Sequence, residues 1–145
     1  MKVKIKRLVS EAVMPRRSHA SDAGWDLVAV NRKMDADGAV VYGTGLAMEI
    51  PEGYVGLVFP RSSVAKKDLV LSNCVGVIDS GYRGEVMVKF KLLDPLITHD
   101  VYHWSNVRDR IAQLVIMRLP EVEMVESEDL SESDRGEGGY GSTGM

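Results

Sequence analysis

The chain consists of short segments in which apolar and polar residues alternate, separated by clusters of turn-forming residues. Residues 2–6 and 86–92 show this alternation, which is typical of half-buried β-strands. Residues 54–59 also have strand composition, and residues 111–117 are apolar on both faces apart from Gln113, which indicates a central strand. Many short strands with frequent turns predict an all-β fold of antiparallel strands, either a sandwich, a barrel or a jelly roll.

Few segments have helical character. Residues 62–67 predict one short helix, with a serine as its N-cap. Two glycines, Gly43 and Gly45, separate a predicted strand at residues 40–42 from another at residues 46–50. The predicted fold therefore places strands around a single short helical turn.

The composition changes after Pro120. Residues 121–134 are acidic and polar, with little apolar surface to bury, and they predict an extended arm. We therefore expect a β-domain over residues 1–120 and a flexible C-terminal arm over residues 121–145.

The bulk composition excludes several classes of protein. The 145 residues suit one domain that can bury a core without disulfides, and the net charge of −3 argues against bulk nucleic-acid binding. A single cysteine, Cys74, fits a reducing compartment, and its apolar neighbours predict a small buried side chain. No segment reads as a secretory signal or a membrane span, so we expect a cytoplasmic protein, or a nuclear or host-cytoplasmic one if the chain is eukaryotic or viral.

A glycine-rich segment, RGEGGYGSTG, occupies residues 135–144. Glycines let backbone N–H groups approach an anion closely, Arg135 adds charged donors, and Tyr140 adds a flat apolar face. These are the parts of a clamp for a phosphorylated, planar ligand such as a nucleotide. A flexible tail is the alternative, because chain termini are usually loose.

A second candidate segment, NCVGVIDSGYRG, spans residues 73–84. Asp79 is predicted at a hairpin tip, where a carboxylate can orient and deprotonate a water beside a phosphoryl group. Tyr82 follows three residues later and can pack against a sugar ring. The alternative is ordinary turn chemistry, because Asp-Ser-Gly is common in turns and tyrosine is common in strands.

Three further segments contain polar side chains that either stabilise the fold or contact a ligand. Arg61 and Ser62 precede the predicted helix, where a phosphate is favoured, although a capping serine beside a solvated arginine is the simpler interpretation. Gln113 lies within an apolar strand, so it bonds either a neighbouring strand or a ligand. Asp26, between Trp25 and Leu27, either pairs with a buried arginine or helps to organise a hydrated metal ion.

Five segments occur in the order AGWDL, PRSS, GVIDSGYRG, RIAQL and RGEGGYGSTG. This series closely resembles the five motifs of the homotrimeric dUTP pyrophosphatases (dUTPases). Each motif alone is weak, but five in order span almost the whole chain. The resemblance implies a β-jelly roll, or distorted barrel, that forms trimers with active sites shared between subunits.

The resemblance also implies a reaction and a role for each segment. The enzyme would hydrolyse dUTP to dUMP and pyrophosphate, which limits uracil incorporation into DNA and supplies dUMP for thymidylate synthesis. Asp79 would activate the attacking water, and Tyr82 would pack on the deoxyribose and exclude a ribose. Mg²⁺ would bind the triphosphate and water molecules and would have no direct protein ligand. Asp26 would help to support this arrangement.

The remaining implied roles are in substrate binding. The hairpin from Asn73 to Asp79 would read uracil through backbone groups, with contacts from Asn73, Gly76, Val77 and Ile78. The phosphate chain would contact Arg61, Ser62, Ser63 and Gln113. The arm would close over the site through Arg135, Gly138, Gly139, Tyr140, Gly141, Ser142 and Thr143.

Some positions depart from the family pattern. Ser63 stands where glycine is more frequent, Gly81 where an acid often precedes the tyrosine, Tyr140 where phenylalanine is usual, and Arg108 where glycine is common. None removes a charge that the reaction needs, so we expect altered affinity with activity retained.

Two other functions compete with the resemblance. A dCTP deaminase shares the fold, but it carries a glutamate on the strand after the hairpin, and residues 86–93 contain no acid. A non-catalytic nucleotide sensor on the same scaffold would bind nucleotide without releasing pyrophosphate.

Overall fold

Two antiparallel β-sheets pack around one core in the computed structural model, which describes residues 1–67, 69–93 and 106–139. The strands are β1 (Lys4–Arg7), β2 (Trp25–Val28), β3 (Asn31–Met34), β4 (Val40–Glu49), β5 (Tyr54–Pro60), β6 (Leu69–Leu71), β7 (Gly76–Ile78), β8 (Glu85–Leu92) and β9 (Arg110–Arg118). The first sheet has the order β1-β4-β8-β6, with β3 also paired to β4, and the second has the order β2-β9-β5-β7. The predicted all-β jelly-roll architecture is confirmed.

Side-chain alternation determines which face of each strand enters the core. On β8, Val86, Val88 and Phe90 are buried while Met87 between them is exposed. Phe90 packs edge-to-face against Tyr42 of β4, with the ring centroids 6.0 Å apart. Strand β9 lies between β2 and β5, as its apolar composition predicts.

The two glycines of β4 mark an irregularity within one strand. The predicted break is wrong, because β4 runs unbroken from Val40 to Glu49 and its register against β8 shifts between Gly43 and Ala47. Gly45 adopts φ +64°, and the buried Thr44 hydroxyl donates a 2.7 Å hydrogen bond to the Val86 carbonyl. The glycines therefore accommodate a bulge-like distortion and leave the strand intact.

The short helix is a 3₁₀ helix, Ser62–Lys66. The expected serine N-cap is wrong, because the N-cap residue is Arg61, which is extended and makes no capping bond through its side chain. The Arg61 carbonyl accepts the first helical hydrogen bond, from Val64 N at 2.9 Å, so the helix begins one residue earlier than the capping pattern predicted. Val64 is buried and anchors the helix to the core.

The connection from β6 to β8 differs from prediction in two respects. Strands β6 and β7 pair with β8 and β5 respectively, so Asp79 lies in a crossing between the sheets and the expected hairpin tip is wrong. Cys74 is exposed at φ +59° in the turn before β7, so the prediction of a buried thiol is wrong as well. A left-handed residue in a turn points its side chain away from the strand pattern around it, which explains the second error.

The chain after β9 carries no further strand within the described residues. Residues 119–133 have no regular structure, and the apolar side chains of Met124 and Leu130 are almost fully exposed. Residues 134–137 form a turn, and the predicted clamp residues Tyr140, Gly141, Ser142 and Thr143 lie outside the described residues. Within the described ranges, no helix is sufficiently long and apolar to span a membrane.

Candidate active site

Three of the five sequence motifs meet at one end of the second sheet. Asp26 on β2 lies opposite Gln113 on β9, and Gln113 lies opposite Phe59 on β5. Strand β5 ends at Pro60, so the chain passes directly into Arg61 and the 3₁₀ helix. Strand pairing therefore brings together polar groups that are far apart in the sequence.

Asp26 holds two arginines at this end of the sheet. Its Oδ1 accepts a 2.7 Å hydrogen bond from Arg61 Nε, and its Oδ2 accepts one of 3.0 Å from Arg110 Nη1. The side chains of Asp26 and Arg61 are only 16% and 25% exposed, so their ion pair is largely protected from water. Of the two predicted roles, the pairing with an arginine is the one found, and it fixes the direction of the Arg61 guanidinium.

Gln113 is tied to the neighbouring strand. Its Nε2 donates a 3.1 Å hydrogen bond to the Pro60 carbonyl. The chain at Gly24 passes so close that an added Cβ would lie 3.1 Å from the Gln113 Cβ and nearer still to its Oε1. Gly24 therefore permits the close approach of the first motif to the fourth. Ser62, beside this cluster, is exposed, and Ser63 is partly buried.

The third motif forms a separate group around the loop that follows β7. Tyr82 N donates to the Asp79 carbonyl at 3.1 Å, and the Tyr82 hydroxyl donates to the Glu85 carbonyl at 3.0 Å. Arg83 also donates to the carbonyl of Ser80, at 2.6 Å. A cavity of about 220 Å³ lies beside this loop and is lined by Val77, Ile78, Asp79, Tyr82, Glu85 and Met87.

The predicted base-reading segment extends from this group into a second cavity. Asn73 is exposed in the turn before β7, and Gly76 packs close to Val58. Asn73 lines a cavity of about 340 Å³ together with Ser72, Lys89 and Lys91, and Met87 belongs to the walls of both cavities. The Ser72 Oγ is buried without a hydrogen-bond partner. Part of the predicted segment therefore borders on each cavity.

Sequence reasoning missed two residues of this site. Glu85 and Met87 both line the cavity beside Asp79. They occupy the face of β8 opposite the buried Val86 and Val88, so the alternation that predicts the strand also marks them as outward-facing. What the alternation does not disclose is that the loop containing Tyr82 folds back onto that outer face.

The two groups are separated within one protomer. Ile78, which precedes Asp79, pairs with Gly56, four residues before Pro60 on β5. At about 3.3 Å per residue this places Ile78 and Pro60, which border the two groups, roughly 13 Å apart along the strand. The structure therefore brings Asp26, Arg61 and Gln113 together, and separately Asp79 and Tyr82, but it does not unite the two sets.

The described part of the glycine-rich arm is folded only locally. Arg135 is exposed, and its Nε donates a 2.8 Å hydrogen bond to the Gly138 carbonyl. Gly136 adopts φ +51° and donates to the Ser133 carbonyl at 3.0 Å, while Gly139 has open space around it. Gly138 N also donates within the turn, to the Arg135 carbonyl at 3.2 Å, so the group that the turn presents at the surface is the Arg135 guanidinium.

No metal cage of protein ligands is present in residues 1–67, 69–93 and 106–139, where no three His, Cys, Asp or Glu side chains converge. Asp26 has both carboxylate oxygens engaged by arginines.

Comparison with known proteins identifies the family. The dUTPase family profile matches residues 10–144. The chain is 44% identical, over 148 aligned residues, to the deoxyuridine 5'-triphosphate nucleotidohydrolase of Corynebacterium glutamicum, covering 98% of this chain and 94% of that protein. The chain belongs to the dUTPase family. This dUTPase is therefore a hydrolase of nucleotide metabolism that converts dUTP to dUMP and pyrophosphate.

Solved structures support the same assignment for this dUTPase. The dUTPase of Staphylococcus bacteriophage 80alpha, solved with dUPNHPP, matches with a TM-score of 0.81 and 32% identity over 99% of both chains. A mutant dUTPase from phage phi11 of S. aureus, described as coordinating a structural Mg(II) ion, matches with a TM-score of 0.73 and 28% identity over 89% of this chain and 98% of that one.

Proposed function

We propose that this dUTPase works as a homotrimer in which each active site combines Asp79 and Tyr82 from one subunit with Arg61 and Gln113 from another. The observation that carries the proposal is the separation of these groups, roughly 13 Å along β5 at the rise of a β-strand. This separation favours a site in which the phosphate-binding group of one subunit contacts a nucleotide whose α-phosphorus lies beside Asp79 of another subunit. A cyclic assembly brings different edges of identical subunits together and so completes each site.

In the proposed reaction, Asp79 accepts a proton from a water molecule while that water attacks the α-phosphorus. A new P–O bond forms to the water oxygen, the bond from the α-phosphorus to the bridging oxygen breaks, and pyrophosphate leaves. The loop around Asp79 is held by internal hydrogen bonds, which favours a fixed direction for the carboxylate. Positioning and charge stabilisation then provide most of the rate enhancement.

The substrate is held along its length by different elements. Asn73, Gly76, Val77 and Ile78 contact uracil, and the Tyr82 ring packs on the deoxyribose. Arg61, Ser62, Ser63 and Gln113 contact the phosphates, and the Asp26 ion pair keeps the Arg61 guanidinium aimed. One subunit therefore selects the base and the sugar, and its neighbour binds the phosphates.

The arm acts as a lid. Its exposed turn at Arg135 supplies cationic and backbone donors to the terminal phosphate, and Tyr140 stacks on uracil. The segment Gly138–Thr143 wraps the phosphates and excludes bulk water. The triphosphate and its waters would hold Mg²⁺, with no direct protein ligand, and the ion would offset the charge of the phosphate oxygens. The enzyme would limit the uracil content of DNA and supply dUMP for thymidylate synthesis, and we propose that it does so in the cytoplasm.

Subunit complementation tests the shared site. The variants Asp79→Asn and Arg61→Gln are each expected to be nearly inactive as pure trimers. When equal amounts are unfolded together and refolded as mixed trimers, about one quarter of the sites combine an intact Asp79 with an intact Arg61. Pyrophosphate release should therefore recover to about a quarter of the wild-type rate. A mixture no more active than the two separate samples would contradict a shared site.

A substrate panel tests the choice of reaction. Pyrophosphate release should be far faster for dUTP than for dTTP, dCTP or UTP, all measured with Mg²⁺. Deamination of dCTP is not expected, because Lys89 stands on the strand where a deaminase carries its glutamate, and its Nζ is bound to Asp35 at 2.7 Å and Asp37 at 3.0 Å. Ammonia release from dCTP would overturn this assignment.

A further inference from the structure

The Tyr82 side chain folds back over the backbone that follows it. Its hydroxyl reaches the Glu85 carbonyl at 3.0 Å, so the ring spans the residues between them. The side chain is nevertheless 40% exposed, and it lines the cavity that also contains Asp79. One part of the ring is thus fixed against the protein while another remains free to meet a ligand.

Gly84 lies directly under this ring. A Cβ built on Gly84 would be 2.6 Å from Tyr82 Cζ and 3.0 Å from Cε2, and closer still to the phenol oxygen. Real Cβ atoms do not approach ring carbons this closely, so the ring could not keep its place above any other residue. The backbone of Gly84 lies outside the left-handed region, so glycine is required here by the ring and not by φ.

We propose that Gly84 is a positioning residue for sugar selection, because its missing side chain lets the Tyr82 ring lie where it meets deoxyribose and leaves no room for a 2′-hydroxyl. This inference rests on the proposed packing of Tyr82 against the sugar. It adds that the position of the ring, and not its presence alone, separates dUTP from UTP.

The same loop provides a matched control. Gly81 immediately precedes Tyr82, and Gly84 is two residues after it. A Cβ added at Gly81 would have no atom within 4 Å. Gly81 is also outside the left-handed region, so neither substitution to alanine is strained by a positive φ. A difference between the Gly84→Ala and Gly81→Ala variants therefore reports the contact with the ring.

The test measures kcat/KM for dUTP and for UTP in full-length wild type, Gly84→Ala, Gly81→Ala and Tyr82→Ala. A displacement of the ring by about 1 Å should lower kcat/KM for dUTP by about 10²-fold in Gly84→Ala. The preference for dUTP over UTP should fall by at least about tenfold, as expected when one contact that discriminates substrates is lost. Gly81→Ala should retain both values within about twofold.

A double-mutant cycle separates an effect through Tyr82 from general damage to the loop. In the Tyr82→Ala background there is no ring for the new Cβ to meet, so adding Gly84→Ala should change kcat/KM by less than about twofold. This double variant also keeps the test available if Gly84→Ala alone does not fold, because recovery of folding on removing the ring supports the same contact.

Three results would overturn the inference. A Gly84→Ala enzyme with the full dUTP preference, alongside a Tyr82→Ala enzyme that has lost it, would reject Gly84 and leave the proposed function standing. Undiminished preference in Tyr82→Ala would reject the sugar-packing role of Tyr82 and the inference with it. Equal losses from Gly84→Ala in the presence and absence of the ring would show that Gly84 acts independently of Tyr82.

Discussion

Replacing Asp26 by asparagine tests whether the buried ion pair aims Arg61. Asparagine keeps one accepting oxygen, so one of the two arginine bonds is lost and the other no longer has an anionic acceptor. Hydrogen bonds to charged groups contribute about 1.5–3 kcal/mol when protected from water. The Arg61 bond is short and largely buried, whereas Arg110 is 52% exposed and its bond contributes under about 1 kcal/mol.

These contributions predict that Asp26→Asn lowers the free energy of unfolding by about 2 kcal/mol. Urea denaturation at neutral pH, followed by circular dichroism at one fixed protomer concentration, measures it, because an oligomer's apparent stability depends on concentration. A pair of similar length between Lys4 and Glu49, at 2.9 Å with side chains 79% and 45% exposed, is the control. Glu49→Gln should cost well under about 1 kcal/mol.

The kinetic consequence of the same substitution is separate from stability. With the Arg61 guanidinium no longer held, KM for dUTP should rise in Asp26→Asn and stay unchanged in Glu49→Gln. If Asp26→Asn were as stable as Glu49→Gln and bound dUTP equally well, the reasoning that links this ion pair to phosphate binding would be refuted.

Three other perturbations test separate parts of the enzyme. Asp79→Asn should retain dUTP binding but lose about 10²–10⁴-fold or more in turnover, measured by pyrophosphate release, and near-normal turnover would remove Asp79 from the mechanism. Deletion of residues 135–145 should abolish turnover while circular dichroism and sedimentation show a folded trimer, so full activity would exclude the clamp. The hydrogen bonds from Lys89 hold the pKa values of Asp35 and Asp37 below the ordinary value of 3.8. The two charged carboxylates therefore stabilise the fold fully above pH 3.8, and this stabilisation is lost as the pH falls through the lowered pKa values. Lys89→Gln should consequently be less stable than wild type at neutral pH in urea melts, and the difference should narrow as the pH falls below 3.8. A difference independent of pH would contradict the assignment.

Local patterns predict the parts of this fold that depend on local chemistry. The alternation of residues 86–92 identifies the buried face of β8, because a strand places successive side chains on opposite faces. The apolar run at residues 111–117 identifies an interior strand of the sheet, and β9 indeed lies between β2 and β5. The order of the five motifs identified the family, which the comparisons confirm.

Long-range pairing accounts for most of what the sequence does not predict. Nothing near Gly76–Ile78 indicates that its partner is β5 and not β6, so the position of Asp79 between the sheets could not be foreseen. The same pairing determines the distance between Asp79 and Arg61. The exposure of Cys74 was predicted wrongly for a local reason, because its left-handed backbone conformation is a property of the folded turn.

That left-handed turn also gives the enzyme a natural attachment point. Cys74 is the only cysteine in the sequence, its thiol is exposed, and its neighbour Asn73 lines a cavity. A maleimide dye would consequently modify each polypeptide once, at a known place, without any engineered mutation. A fluorophore sensitive to its surroundings at that position could follow nucleotide arrival and product departure in a stopped-flow instrument.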